Sequence, residues 1–287
     1  MIKNKKAGIV LEGGGTRGVF TAGVLDYLME ENIYFPYVVG VSAGACNAVD
    51  YVSKQIGRSR QCMIPENGEN KYFDLKQAIK THSLFDMEML FDRYPNEIYP
   101  FDYETYFNSQ TECEIVATNC KTGKAEYFVE KEDKEKLMDY CRASSSIPLA
   151  SPMVRIEKDY YLDGGLADSI PILRALKTGH TKNVLVLTRN KGYRKKAVQK
   201  SKKFYEAAYS NYPNLVSAIS NRAAMYNKTM DYIEKWEEEG KVFVVRPQSK
   251  VVSRTEIKKD SLEAFYWHGY EIMKKQFEDM KKFLGEE

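Results

Sequence analysis

At 287 residues, 43% hydrophobic and 29% charged, the chain has the composition of an ordinary globular protein and the length of one large α/β domain or two small ones. A net charge of +3 is too small to imply a nucleic-acid partner. The five cysteines (Cys46, Cys62, Cys113, Cys120 and Cys141) are odd in number and include no C-x-x-C, which points to a reduced, cytoplasmic chain rather than a disulfide framework.

The first residues, Met-Ile-Lys-Asn-Lys-Lys, resemble the basic start of a signal peptide, but the apolar run after them stops at Glu12, too short for its core. No stretch approaches the roughly 18 apolar residues of a membrane span, so any membrane contact is expected to be peripheral. Ala7–Leu11 is that apolar run, predicted as a buried parallel strand. Glu12 and Gly13-Gly14-Gly15-Thr16-Arg17-Gly18 follow it. Val19, Phe20, Val24, Leu25 and Leu28 then recur at helical spacing to about Glu31.

Gly13, Gly15 and Gly18 match G-x-G-x-x-G, the pattern that rests a pyrophosphate on a helix start. That reading expects an acid about 20 residues on. The neighbourhood is Tyr37–Val41, which has no carboxylate and runs into Ser42. The same amide-rich loop can instead serve as an oxyanion hole, and a plain structural turn is the third reading.

Gly40-Val41-Ser42-Ala43-Gly44 is a G-x-S-x-G pattern, preceded by Val38 and Val39 and followed by a helical run of small residues to about Gly57. A nucleophile elbow needs that context of strand, tight turn and helix. Gly40 and Gly44 would let neighbouring backbone approach the turn. A turn with an incidental serine is the plainer alternative.

Residues 58–70 are polar, carry Pro65 and Gly68, and read as a loop. The stretch 71–107 is dense in aromatics and methionine, among them Tyr72, Phe73, Phe85, Met87, Leu90, Phe91 and Tyr94. Small helices packed on the sheet would explain it; so would the wall of an acyl pocket. Glu112–Asn119 and 124–130 read as strands, 132–143 as a helix, and Ser144 to Pro152 as a loop. Tyr160-Tyr161-Leu162 is a short strand leading into Asp163-Gly164-Gly165. Pro171 suits a helix start. Residues 183–188 read as a further buried strand, 215–239 as an amphipathic helix closed by Gly240, 242–245 as a last strand and 260–284 as a closing helix.

Between Lys182 and Lys203 stand nine basic residues and no acidic one. A solvated loop is the ordinary explanation; attraction to an anionic lipid surface is the other.

A serine hydroxyl needs a base beside it. Of the three histidines, His82, His180 and His268, only the last two follow Asp163 as a Ser-acid-His order requires. His180 sits in a helix-ending turn and His268 inside the last helix, neither a catalytic-looking context. Asp163 follows an apolar strand and precedes two glycines, and a carboxylate can act as base where its surroundings make it basic enough.

Taken together, Gly13 to Gly18, Gly40-Val41-Ser42-Ala43-Gly44, Asp163-Gly164-Gly165 and the segment Ala143-Ser144-Ser145-Ser146-Ile147-Pro148 resemble the bacterial patatin-like phospholipases, over roughly residues 7–190. The resemblance implies a three-layer α/β/α fold with a mainly parallel central sheet. It implies acyl-ester hydrolysis on lipids by a Ser-Asp dyad, carried here by Ser42 and Asp163, without histidine, metal or cofactor. The amides of the Gly13, Gly14, Gly15, Thr16, Arg17 and Gly18 loop would form the oxyanion hole, with Gly164 and Gly165 supporting the base. One departure stands after Asp-Gly-Gly: Ser169 occupies a position where members often carry asparagine.

The expected organisation is an acyl hydrolase domain over 7–190 and a helical C-terminal extension over 205–287 packed on it. The expected partner is a lipid or fatty-acyl ester, with peripheral contact to an anionic membrane through 182–203. A nucleotide-binding oxidoreductase using the glycine loop and an inactive lipid-binding protein are the rival readings.

Overall fold

Strand β1 (Ala7–Leu11) consists of five residues with no exposed surface and lies inside an eight-stranded sheet. The computed structural model describes residues 2–64, 85–197 and 202–286. β1 is flanked in parallel by β2 (Tyr37–Val41) and β7 (Lys182–Val186). β3 (Glu112–Asn119) pairs in parallel with β2, and β8 (Val242–Val245) with β7. The remaining strands, β4 (Ala125–Phe128), β5 (Val154–Ile156) and β6 (Asp159–Asp163), are antiparallel to their neighbours, giving the order β5-β6-β3-β2-β1-β7-β8 with β4 also paired to β3. The sheet is therefore mainly parallel.

Strand alternation sends side chains to two covered faces. Ile9, Leu11 and Val38 share a core with α1 (Gly18–Glu30), α2 (Ala43–Val52) and the C-terminal α10 (Lys259–Leu284). Val10, Val39 and Leu185 share the opposite core with α7 (Ile172–Lys177) and α9 (Pro213–Glu238). Those two helical layers around one sheet are the α/β/α sandwich the sequence leads one to expect. The segment after 205 contributes to both: β8 extends the sheet edge, α9 covers one face and α10 the other.

Three local expectations are corrected. Residues 58–63, read as loop, form the helix α3 (Arg58–Met63), whose Arg58 pairs with buried Asp50 at 2.5 Å. The helix behind the elbow ends at Val52 rather than near Gly57, because Lys54 and Gly57 both turn to positive φ. Ser144 and Ser145, read as loop, are the last turn of α6 (Lys134–Ser145), started by an Asp133 cap on the Glu135 and Lys136 amides. The aromatic stretch supplies a π-wound α4 (Met89–Ile98) and α5 (Tyr103–Asn108), followed in chain order by α6. Tyr72, Phe73, Lys200, His82 and the 65–70 loop lie outside the described residues. Helix α8 (Lys202–Ala208) precedes α9. Among the described residues no helix is long and apolar enough to cross a membrane.

Candidate active site

Because parallel strands feed their loops to one sheet edge, the loop after β1 and the turn after β2 emerge side by side. Ser42 occupies that turn with φ 55° and ψ −126°, a left-handed conformation costly for a side-chain-bearing residue. Such strain is what a nucleophile elbow holds. The glycines make the packing feasible. A Cβ on Gly44 would stand 2.5 Å from the Leu11 carbonyl oxygen, and one on Gly40 would strike the Gly44 carbonyl. The elbow is also pinned from outside: the Ser42 amide donates to Ser144 Oγ at 2.8 Å, and that hydroxyl donates to the Val116 carbonyl at 2.6 Å.

Asp163 closes β6, antiparallel to β3. Its Oδ1 accepts the Gly165 amide at 2.8 Å. Gly164 and Gly165 form the short 3-10 turn behind it, and a Cβ on Gly165 would lie 2.9 Å from Asp163 Oδ1 and 3.1 Å from Arg222 Nη2. Ser42 and Asp163 are 7% and 4% exposed and line one cavity. Among the described contacts no hydrogen bond joins Ser42 Oγ to the Asp163 carboxylate; catalytic hydrogen bonds in substrate-free sites are often long and tighten on binding.

The glycine loop borders the same cavity through Gly13, Gly14 and Gly15. The resemblance implies an oxyanion hole from the whole Gly13–Gly18 loop, but not all of these amides are free to hold an oxyanion. Thr16 N–H donates to the Arg254 carbonyl at 3.1 Å, and Gly18 N–H to the carbonyls of Gly15 and Thr16. Among the described residues the amides of Gly13, Gly14 and Gly15 donate to no acceptor, so the candidate donors lie there. Arg17 braces the loop from within, its Nε donating to the Gly14 carbonyl at 3.1 Å.

Two cavities meet at Ser42. The first, about 130 Å³, is walled mostly by apolar side chains from α2, α4 and α6, including Val49, Leu90, Phe91 and Met138. Part of the aromatic stretch is thus this wall. The second, about 500 Å³, holds Asp163 and the glycine loop and is lined by basic side chains. Ser42, Gly15 and Ile147 belong to both.

The two described histidines stand apart from both cavities. His180 stacks on Tyr37 with centroids 4.0 Å apart, and His268 Nε2 accepts the Gln248 amide at 3.0 Å. Burial lowers the pKa of both imidazoles. Among the described residues no group of three or more His, Cys, Asp or Glu is placed to hold a metal ion.

Sequence reasoning missed the contribution of the C-terminal segment. Thr16 Oγ1 donates to the Ser253 carbonyl at 3.2 Å and accepts the Glu256 amide at 3.0 Å, clasping the glycine loop. Arg222 Nε donates to the Gly165 carbonyl at 2.6 Å, and Tyr226 Oη donates to Glu12 at 3.0 Å. No local pattern announces pairings more than fifty positions apart. The basic run 182–203 also differs from a simple solvated loop: Arg189, Arg194, Lys195 and Lys196 line the larger cavity. Burial, helped by Arg222, pushes Lys195 down to about 7.

Residues 9–176 match the family model described as patatin-like phospholipase, and residues 212–285 match one described as a domain of unknown function. The chain is 28% identical over 254 residues to the uncharacterized protein YjjU of Escherichia coli (strain K12), covering 83% of this chain and 68% of that protein. It is 26% identical over 183 residues to the lysophospholipase NTE1 of Coccidioides immitis (strain RS), covering 61% of this chain but only 11% of the relative. Among solved structures, VipD from Legionella pneumophila superposes with a TM-score of 0.52 at 15% identity, covering 96% of this chain and 67% of that one, a likeness of fold.

Proposed function

The chain belongs to the patatin-like phospholipase family, and from that premise we propose that it is a serine acyl hydrolase that cleaves fatty-acyl esters of lipids through Ser42 and Asp163. The observation that carries this reading is the position of Ser42 where an apolar cavity meets a polar one holding Asp163 and the glycine loop. An acyl ester has that polarity: a hydrocarbon chain on one side of the carbonyl and an oxygen-rich alcohol on the other.

In the proposed cycle Asp163 accepts the Ser42 hydroxyl proton as Oγ attacks the ester carbon. Amides of Gly13, Gly14 and Gly15 stabilise the tetrahedral oxyanion; one such donor contributes about 10² to 10³ in kcat. Collapse expels the alcohol, which takes the proton from Asp163, and leaves an acyl-Ser42 ester. Water, deprotonated by Asp163, then hydrolyses that ester and returns the serine. Arg17 keeps the loop in shape rather than touching the reacting atoms, as its bond to the Gly14 carbonyl supports.

Turnover of p-nitrophenyl esters and of lysophospholipid micelles, wild type beside Ser42→Ala, tests this. Wild-type hydrolysis that falls by 10³ or more in the variant is expected. Full activity in Ser42→Ala, or none in the wild type on any acyl ester, would refute it.

A further inference from the structure

The larger cavity carries more positive charge than its own acids neutralise. Arg189, Lys195, Arg222 and Arg254 all border it, and among the described residues none has a carboxylate within ion-pair distance. Arg194, by contrast, is already committed to Asp231 and Glu234, each at 2.7 Å. Among the described residues two acids border the space, Glu12 and Asp163. Glu12 is consumed by the Thr188 amide at 2.7 Å, the Thr188 hydroxyl at 3.1 Å and the Tyr226 hydroxyl at 3.0 Å. Asp163 is the proposed base.

Neighbouring contacts hold Arg189, Arg222 and Lys195 in place without a counter-charge, and Lys195, brought down to about 7 by burial and by Arg222, is only partly protonated near neutrality until an anion arrives. Lys195 Nζ donates to Ser169 Oγ at 3.1 Å and lies 3.7 Å over the Tyr226 ring. The Arg189 guanidinium lies 4.3 Å over Tyr193. Arg222 spends its Nε on the Gly165 carbonyl and keeps its other nitrogens. Like charges grouped in a partly closed space repel, and an anion is what relieves them.

An ester whose chain fills the apolar cavity must direct its alcohol half into this basic one, since both open onto Ser42. A fixed cation on that alcohol would meet the same excess of positive charge. The face of Tyr193, a natural seat for a quaternary ammonium, is already covered by Arg189.

We propose that residues 212–285 supply, through Arg222 and Arg254 and together with Lys195 and Arg189, an anion subsite that makes the enzyme prefer acyl esters whose alcohol half carries a net-negative phosphate over zwitterionic or neutral ones. This deepens the acyl-hydrolase reading and rests on it for the identity of the ester. It gives the C-terminal segment a role in specificity, since that segment reaches the cavity from α9 and from the loop before α10.

The test has two arms. In the first, full-length Ser42→Ala protein is titrated calorimetrically with sn-glycerol 3-phosphate, glycerophosphocholine, glycerol and inorganic phosphate. Binding is expected in the order glycerol 3-phosphate, then glycerophosphocholine, with glycerol undetectable. Adding Arg254→Gln, an exposed loop position, or Arg222→Lys should weaken glycerol 3-phosphate tenfold or more. No binding of glycerol 3-phosphate, or inorganic phosphate bound equally well, would overturn the proposal, the latter by assigning the cavity to a free ion. In the second, kcat/KM for lysophosphatidylglycerol over lysophosphatidylcholine should exceed about tenfold in the wild type and fall towards one in Arg254→Gln through KM. A wild-type ratio of one or less would overturn the proposal. Absence of turnover on every ester would instead strike the acyl-hydrolase reading, and the binding arm would still decide the subsite.

Discussion

Ser144 Oγ receives the amide of Ser42 at 2.8 Å, and through its own bond to the Val116 carbonyl it ties the elbow to β3. The strained turn is thus held by a hydroxyl 102 positions away, on the last turn of α6. Ser144→Ala leaves the buried Ser42 amide without its acceptor, at a cost of about 1–3 kcal/mol, and takes one donor from the Val116 carbonyl, while alanine suits the helix. The expected outcome is a lower thermal midpoint and a kcat loss larger than any change in KM. Steady-state kinetics beside a melting curve check it; unchanged kcat would mean that the elbow keeps its shape unaided.

Histidine should prove dispensable. His180 is held against Tyr37 and Thr178, and His268 serves as an acceptor for the Gln248 amide. Neither borders a cavity at Ser42. His180→Ala and His268→Ala should each retain kcat/KM within a few-fold of wild type. A loss of about 10³ from either would point to a triad.

A buried carboxylate between α1 and α10 predicts a pH-dependent stability. Asp26 accepts the Gly57 amide at 3.0 Å and the Tyr266 hydroxyl at 2.7 Å. Burial nevertheless raises it from 3.8 to about 6, against the pull of those two bonds. Between these values the folded chain holds a proton that the unfolded chain has lost, so stability falls as pH rises through the window, and the penalty is complete above pH 6. It amounts to at most about 3 kcal/mol. Asp26→Asn removes the titration. The thermal midpoint of the variant minus that of the wild type should therefore climb from about pH 4 to pH 6 and level off above; a difference flat across that range would contradict the assignment.

The parts of the fold legible in the sequence are those where hydrophobic period and punctuation coincide. β1 and β2 announce themselves because their apolar runs end at the glycine loop and at Ser42, and α1 because its helical spacing begins at that loop. The long helices α9 and α10 do so through sustained helical spacing closed by Gly240 and Gly285, both in the left-handed conformation. β5 was illegible: three residues with exposed Arg155 at the sheet edge carry no periodic signal. Ser144 and Ser145 read as loop because serine favours caps and turns over helix interiors, yet packing keeps Ser144 helical and fully buried. At the site, the three motifs name the residues that would do chemistry. The side chains that frame them, Arg222, Tyr226 and the 253–256 loop, arrive through pairings that only the folded chain creates.

The proposed chemistry requires Ser42 to be made nucleophilic by Asp163. The most direct measurement is the rate of covalent labelling by a fluorophosphonate, followed by intact mass and by mapping of the modified peptide, for wild type and Asp163→Asn. The account predicts a single adduct on Ser42, formed at least about 10² times more slowly in the variant. Labelling of another residue with Ser42 untouched, or equal rates on Ser42 in both proteins, would contradict it.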